Sequence, residues 1–156
     1  METVYIKTPL GIATVIGDEQ GVSVISVSDE GEVSTIIPKI LSDAVSQLNE
    51  YFEGKRNGFT FTLNPKGTDF QKKVWKELLE IPYGETRTYM EQSKILGNIK
   101  AIRAVASANG KNPLWIVVPC HRVIGTSGSL TGYAGGLWRK KWLLEHESPT
   151  TQQSLF

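Results

Sequence analysis

The stretch Thr88-Tyr89-Met90-Glu91-Gln92-Ser93-Lys94-Ile95-Leu96-Gly97-Asn98-Ile99-Lys100-Ala101-Ile102-Arg103-Ala104-Val105-Ala106-Ser107-Ala108-Asn109 carries two helix signals joined by a tight turn. Thr88 is an N-cap residue for a short helix from Tyr89 to Leu96, and Gly97 ends it. Asn98 caps a following helix from Ile99 to about Asn109, with Ala101, Ala104, Val105 and Ala108 at helical spacing. Two helices about a glycine-containing turn make a helix-turn-helix signal, weak alone because many helical hairpins look alike. Upstream, Thr68 or Asp69 starts another helix with Phe70, Val74, Leu78 and Leu79 on one face, broken by Ile81-Pro82-Tyr83-Gly84. Downstream, Leu114 to Val118 reads as a short apolar strand. A glycine-rich loop and a last helix from about Leu137 to Glu145 follow.

The N-terminal part reads differently. Thr3–Lys7, Ile12–Ile16 and Val22–Val27 alternate as three strands of a meander, separated by Thr8-Pro9-Leu10-Gly11 and Gly17-Asp18 turns. Ser42 is an N-cap for a helix to about Phe52, and Phe59–Leu63 alternates as a strand returning to the meander. Asn64-Pro65-Lys66-Gly67 marks the boundary, and charge switches there. Residues 1–65 hold four basic and nine acidic residues, a net of −5. The remaining 13 basic and seven acidic residues sum to +6, inside a chain whose total is only +1. A basic C-terminal part is compatible with a polyanionic partner, although charge alone favours chance clustering of surface lysines.

At 156 residues, 40% hydrophobic and 21% charged, the composition excludes a disordered chain, a collagen or a coiled-coil rod. The longest apolar run is five residues, too short to span a bilayer, and the N-terminus lacks the features of a signal peptide. One cysteine permits no internal disulfide. It lies in Val118-Pro119-Cys120-His121-Arg122-Val123. A lone cysteine is most often a small core residue. Here Pro119 fixes the backbone before it, and His121 and Arg122 follow as cationic neighbours that favour thiolate. Neighbours on a strand point to opposite faces, so a direct Cys120–His121 pair requires a turn or a bridging water. Asn112, before Pro113, is either a turn residue or the residue that fixes the loop into the cysteine segment. Glu147 is either a plain helix-end charge or the carboxylate that orients an imidazole.

At these residues the chain resembles the O6-alkylguanine-DNA alkyltransferases (methylated-DNA–protein-cysteine methyltransferases). The string Pro119-Cys120-His121-Arg122-Val123 is similar to that family's active-site motif. Tyr83-Gly84-Glu85 through Tyr89, Arg103-Ala104-Val105, Asn112-Pro113, Gly132-Tyr133-Ala134-Gly135-Gly136-Leu137 and Trp142-Leu143-Leu144-Glu145-His146-Glu147 continue it in order from Phe70 to Glu147. The resemblance implies a mixed α/β (α+β) fold in two domains. Residues 1–65 form a small ribonuclease H-like domain of sheet and helix. Residues 66–150 form a helical winged-helix or helix-turn-helix domain carrying the active site, and residues 151–156 form a flexible tail. It also implies direct repair of O6-alkylguanine in duplex DNA, and leaves O4-alkylthymine open as a second substrate. The alkyl group is transferred once and irreversibly to Cys120, with His121 as base, Glu147 orienting it, Asn112 supporting the loop and Tyr89 donating a proton to the leaving guanine. The base must leave the stack to reach the sulfur. On this resemblance Arg103 fills the vacated space, and Gln71, Tyr89, Ala101, Ala104 and Thr126 contact DNA. Tyr133 and Ala134 wall the base pocket, and Val123 adds backbone contacts to the base. Some relatives carry a zinc ion in the N-terminal domain, but residues 1–65 contain no cysteine or histidine, so no metal and no cofactor are expected. A monomer is implied, away from membranes, in the cytoplasm of a prokaryote or the nucleus of a eukaryote. A lesion binder without chemistry lacks the acceptor cysteine that is present here. A thiol hydrolase would need an oxyanion-hole motif that is not evident. A sequence-reading regulator would need several base-reading side chains where this helix is mostly small and apolar.

Overall fold

In the computed structural model, residues 1–128, 130 and 132–148 are described, and they fall into two compact units. Residues 151–156, expected to form the tail, lie outside the described residues.

The first unit comprises Met1–Lys66 with Pro113–Val117. Strands β1 (Glu2–Thr8), β2 (Gly11–Asp18) and β3 (Gly21–Ser28) pair antiparallel in chain order. The period-2 pattern predicts this sheet, and its register places Val4 opposite Val15 and Val15 opposite Ile25, all fully buried. Helix α1 (Ser42–Phe52) buries Ala44, Val45, Leu48 and Tyr51. Ser42 is not its N-cap. A 3-10 turn, Lys39–Leu41, precedes the helix, and the Ser42 hydroxyl donates back to the Lys39 carbonyl at 2.9 Å.

Two expected strands are absent. In the Phe59–Leu63 stretch only Leu63 forms a bridge, parallel to Val22. The Gln47 side chain accepts from the main-chain N–H of Thr60 (2.9 Å) and donates to the Thr60 hydroxyl (2.8 Å), while Phe59 packs on Tyr51 and Phe61. Those bonds and rings fix the segment without a ladder. Likewise Leu114 makes a single bridge to Ile25, after which Ile116 adopts φ 75°. A β-branched residue in the left-handed region is strained, and it turns the chain out of the extended state.

The second unit comprises Gly67–Asn112 and the residues from Val118 onward. Helix α2 (Asp69–Leu78) opens with a reciprocal capping box between Thr68 and Gln71, and α3 (Tyr89–Ile95) with one between Thr88 and Glu91. A Cβ on Gly67 would lie 2.4 Å from the Trp75 ring, so only glycine allows this close approach. Gly97, at φ 90°, ends the turn after α3. Asn98 then caps Lys100, but the next turn, Ile99–Ala101, winds as a 3-10 helix, so α4 runs from Ile102 to Gly110 rather than from Ile99. Strands β4 (Arg87–Thr88) and β5 (Val123–Ile124) form a two-residue parallel pair that sequence pattern does not reveal. Helix α5 (Leu137–Glu147) extends two residues beyond the expected end. Val74, Trp75, Leu78, Val105, Val123 and Leu143 are buried in this unit, and the Trp75 indole donates to the Ala108 carbonyl at 2.8 Å.

Candidate active site

Pro119 (φ −83°, ψ 62°) ends the approach to the cysteine, and Cys120–Arg122 form a 3-10 turn. The Arg122 N–H donates to the Pro119 carbonyl at 3.0 Å. The turn breaks the strict two-face alternation that a strand would impose on these three side chains. His121 Nε2 meets Glu147 Oε2 at 2.8 Å. Arg122 donates through Nε to Glu147 Oε1 (2.7 Å), through Nη2 to Oε2 (3.0 Å) and through Nη1 to the Ile81 carbonyl (2.7 Å). Glu147 reaches them because α5 continues to that residue. Burial raises the Glu147 pKa, but His121 and Arg122 outweigh it and hold the carboxyl far below the usual range. The carboxylate is therefore charged at neutral pH and fixes the imidazole. With Nε2 committed to Glu147, Nδ1 is the remaining proton-accepting atom of a neutral ring, and it is buried without a hydrogen-bond partner among the described residues.

Asn112 Nδ2 donates to the Val118 carbonyl at 2.8 Å and to Cys120 Sγ at 3.4 Å. It ties the turn and supplies a donor to sulfur together. Cys120 is 9% exposed, and burial pushes its thiol pKa up; Asn112 and then the charge of Lys140 oppose that shift. This corrects the expectation that His121 and Arg122 act on the thiol as adjacent cations: both are turned onto Glu147, and the cation acting on the sulfur is Lys140. Lys140 is fully buried, with Nζ 3.3 Å from the Gly132 carbonyl and 5.9 Å from the Tyr89 ring centroid. Burial pulls its pKa down to about 8.

Cys120 opens into a cavity of about 320 Å³ lined by Tyr89, Ala106, Asn109, Gly110, Gly132, Tyr133 and Ala134. Burial and the nearby Cys120 charge push the Tyr133 hydroxyl well above its ordinary pKa, so it is a neutral group at pH 7. A larger cleft of about 720 Å³ lies among Met1, Asp18, Ile36 and Ile40 in the first unit, but its lining includes no thiol or imidazole. Chemistry, not volume, therefore selects the Cys120 cavity.

Of the residues expected to serve the site, Cys120, Tyr89, Tyr133 and Ala134 line this cavity, while His121, Glu147 and Asn112 support it from behind. Arg103 and Ala104 are exposed on α4, Ala101 is half-buried and Thr126 is exposed. The Gln71 side chain accepts from the Thr68 N–H at 2.9 Å, so its oxygen is engaged in capping α2. Val123 does not line the cavity: its side chain is fully buried and its residue pairs with Arg87. Three lining residues escape sequence reading: Ala106, Asn109 and Gly110. Lys140 also escapes it, although a signal was present. Lys140, Leu143, Leu144 and Glu147 recur at i, i+3, i+4 and i+7, so a lysine and a glutamate occupy an otherwise apolar stripe.

The family description "6-O-methylguanine DNA methyltransferase, DNA binding domain" matches residues 69–149, and "6-O-methylguanine DNA methyltransferase, ribonuclease-like domain" matches residues 1–65. The methylated-DNA–protein-cysteine methyltransferase of Methanosarcina barkeri is 47% identical over 149 residues, covering 91% of this chain and 94% of the relative. The Mycobacterium bovis protein of the same name is 58% identical over 110 residues, covering 70% of this chain and 67% of that one. Among solved structures, Mycobacterium tuberculosis OGT in complex with DNA superposes with a TM-score of 0.86 at 46% identity, covering 100% of this chain and 99% of that one. With both family descriptions matched in order across nearly the whole chain, this protein belongs to the methylated-DNA–protein-cysteine methyltransferases, DNA-repair proteins that transfer an alkyl group to a cysteine.

Proposed function

We propose that this chain repairs O6-alkylguanine in duplex DNA by a single transfer of the alkyl group to Cys120. The observation that carries this reading is the Cys120 sulfur, the only thiol of the chain, opening into a cavity and backed by the Asn112 amide and the His121–Glu147 pair. His121 Nδ1 takes the thiol proton through one water, because Nε2 is occupied by Glu147. The thiolate attacks the alkyl carbon in line. A C–S bond forms, the C–O6 bond breaks, and its electron pair leaves with guanine. Tyr89 in the cavity wall gives the guanine a proton, so the leaving group departs neutral. Lys140 and the Asn112 amide stabilise the sulfur anion before attack.

The target base enters extrahelically. Arg103, exposed on α4 with small neighbours Ala104, Ala106 and Ser107, fills the gap it leaves. Gln71, Ala101, Ala104 and Thr126 contact the duplex, while Tyr133, Ala134 and the main chain of Val123 border the base. In this reading residues 1–65 form a supporting domain and residues 66–150 the reactive, DNA-binding one. The protein acts as a monomer without cofactor or metal, in the compartment that holds the genome: cytoplasm in a prokaryote, nucleus in an eukaryote. Among the described residues no helix is long and apolar enough to cross a membrane.

The test is an intact-mass measurement after mixing with a duplex containing O6-methylguanine. The expected result is a gain of one methylene equivalent, mapped to the peptide holding Cys120. A gain at another residue, or none while the DNA is repaired, overturns the assignment.

A further inference from the structure

Gln92 and Asn109 are buried polar residues that alkyl transfer as described does not use. Their amides form a reciprocal pair between α3 and α4: Gln92 Nε2 donates to Asn109 Oδ1 at 2.9 Å, and Asn109 Nδ2 donates to Gln92 Oε1 at 2.8 Å. On the far side Gln92 adjoins Glu77, whose carboxylate it helps to stabilise and which is ion-paired with Arg87. Arg87 in turn sits in β4, paired with Val123, the residue after the Cys120–Arg122 turn. On the near side Asn109 lines the Cys120 cavity between Ala106 and Gly110.

The composition of that wall gives the pair its consequence. Ala106 and Gly110 contribute almost no side-chain bulk, so the room beside the sulfur depends on where the Asn109 side chain lies. A buried amide stripped of its partner turns toward the nearest polar or wet space. For Asn109 that space is the cavity itself. We infer that Gln92 is a positioning residue which holds the Asn109 amide in the α3–α4 interface and thereby sets the size of alkyl group that Cys120 can accept. This inference rests on the alkyl-transfer reading above.

The experiment measures transfer rates to the full-length protein from one duplex sequence carrying either O6-methylguanine or O6-benzylguanine, so that base extrusion is common to both. The mass gain of the unsubstituted protein with each lesion tests the transfer reading separately. In Gln92→Met, which keeps length but removes the amide, the benzyl-to-methyl rate ratio should fall about tenfold, the scale on which pockets discriminate by a few carbon atoms. Truncating the released side chain, in Gln92→Met/Asn109→Ala, should restore the ratio to the starting value or above. A purely structural role predicts the opposite, since the second truncation would weaken the fold further. An unchanged ratio in folded Gln92→Met, or a fall that Asn109→Ala does not reverse, overturns the inference. If Gln92→Met does not fold, Asn109→Ala alone decides: the ratio should rise as the wall recedes, and an unchanged ratio overturns the inference.

Discussion

At the residue scale the site separates two tasks that adjacency in sequence had merged. His121 and Arg122 follow Cys120 directly, yet both bond to Glu147, while Asn112 and Lys140 act on the sulfur. His121→Ala should therefore slow transfer strongly, and raising the pH should recover part of the rate by generating thiolate without the base. A stopped-flow rate profile from neutral to alkaline pH checks this, and an unrecovered rate would make the imidazole structural. Lys140→Met should have two opposed effects. Loss of the cation raises the thiol pKa further, so the rising limb of the pH–rate profile moves to higher pH. The fold, however, should gain stability. The folded pKa of Lys140 is about 8, below the unfolded value of about 10.4, so below pH 8 both states bind the proton and the folded state carries the full cost of a buried charge. That cost fades as pH rises through the window between the two values. Thermal melts at neutral pH should show Lys140→Met more stable, by an amount on the order of 3 kcal/mol, and a lower melting temperature would contradict the assignment.

At the element scale, helix α4 divides into two working halves. Its first half exposes Arg103 and Ala104, and its second half is anchored by Trp75 at the Ala108 carbonyl and by Gln92 at Asn109. Arg103→Ala should accordingly impair repair in duplex DNA far more than reaction with a free O6-alkylguanine base, which needs no extrusion; unstacking costs a few kcal/mol. Parallel rate measurements on the two substrates decide it, and equal losses would place Arg103 in the pocket. The helices that flank this element begin with capping boxes at Thr68 and Thr88. Thr68→Ala and Thr88→Ala should each cost about 1 kcal/mol in urea unfolding. Thr88→Ala should also slow transfer, because it frays the turn that carries Tyr89, whereas Thr68→Ala should leave the rate nearly unchanged.

At the scale of the whole molecule, the chain is both catalyst and acceptor. A thioether at Cys120 offers no leaving group that water could displace, unlike an acyl-enzyme, and the chain contains no second cysteine to take the group onward. With methylated duplex in excess, repaired guanine should plateau at one equivalent of active protein. Turnover well beyond one repaired base per molecule, measured by digestion and chromatography of the DNA, would contradict single use.

Much of this was legible in the chain itself. Alternating β-branched residues specified β1 to β3, because a half-buried strand needs period 2. Thr68, Thr88 and Gly97 specified helix ends, because capping and positive φ are local matters. The order of motifs around Pro119-Cys120-His121-Arg122 pointed to the chemistry. What escaped sequence reading depended on groups far apart along the chain. Phe59–Leu63 lost its ladder to Gln47 and to the packing of Phe59 on Tyr51. Leu114–Val118 was turned by the φ of Ile116, which no local propensity would select. The partner of Gln92 lies 17 residues away. Local sequence encodes period, caps and turns because those energies arise within a few residues. Which buried polar group meets which is decided by packing, where an unpaired amide or charge costs enough to select one partner.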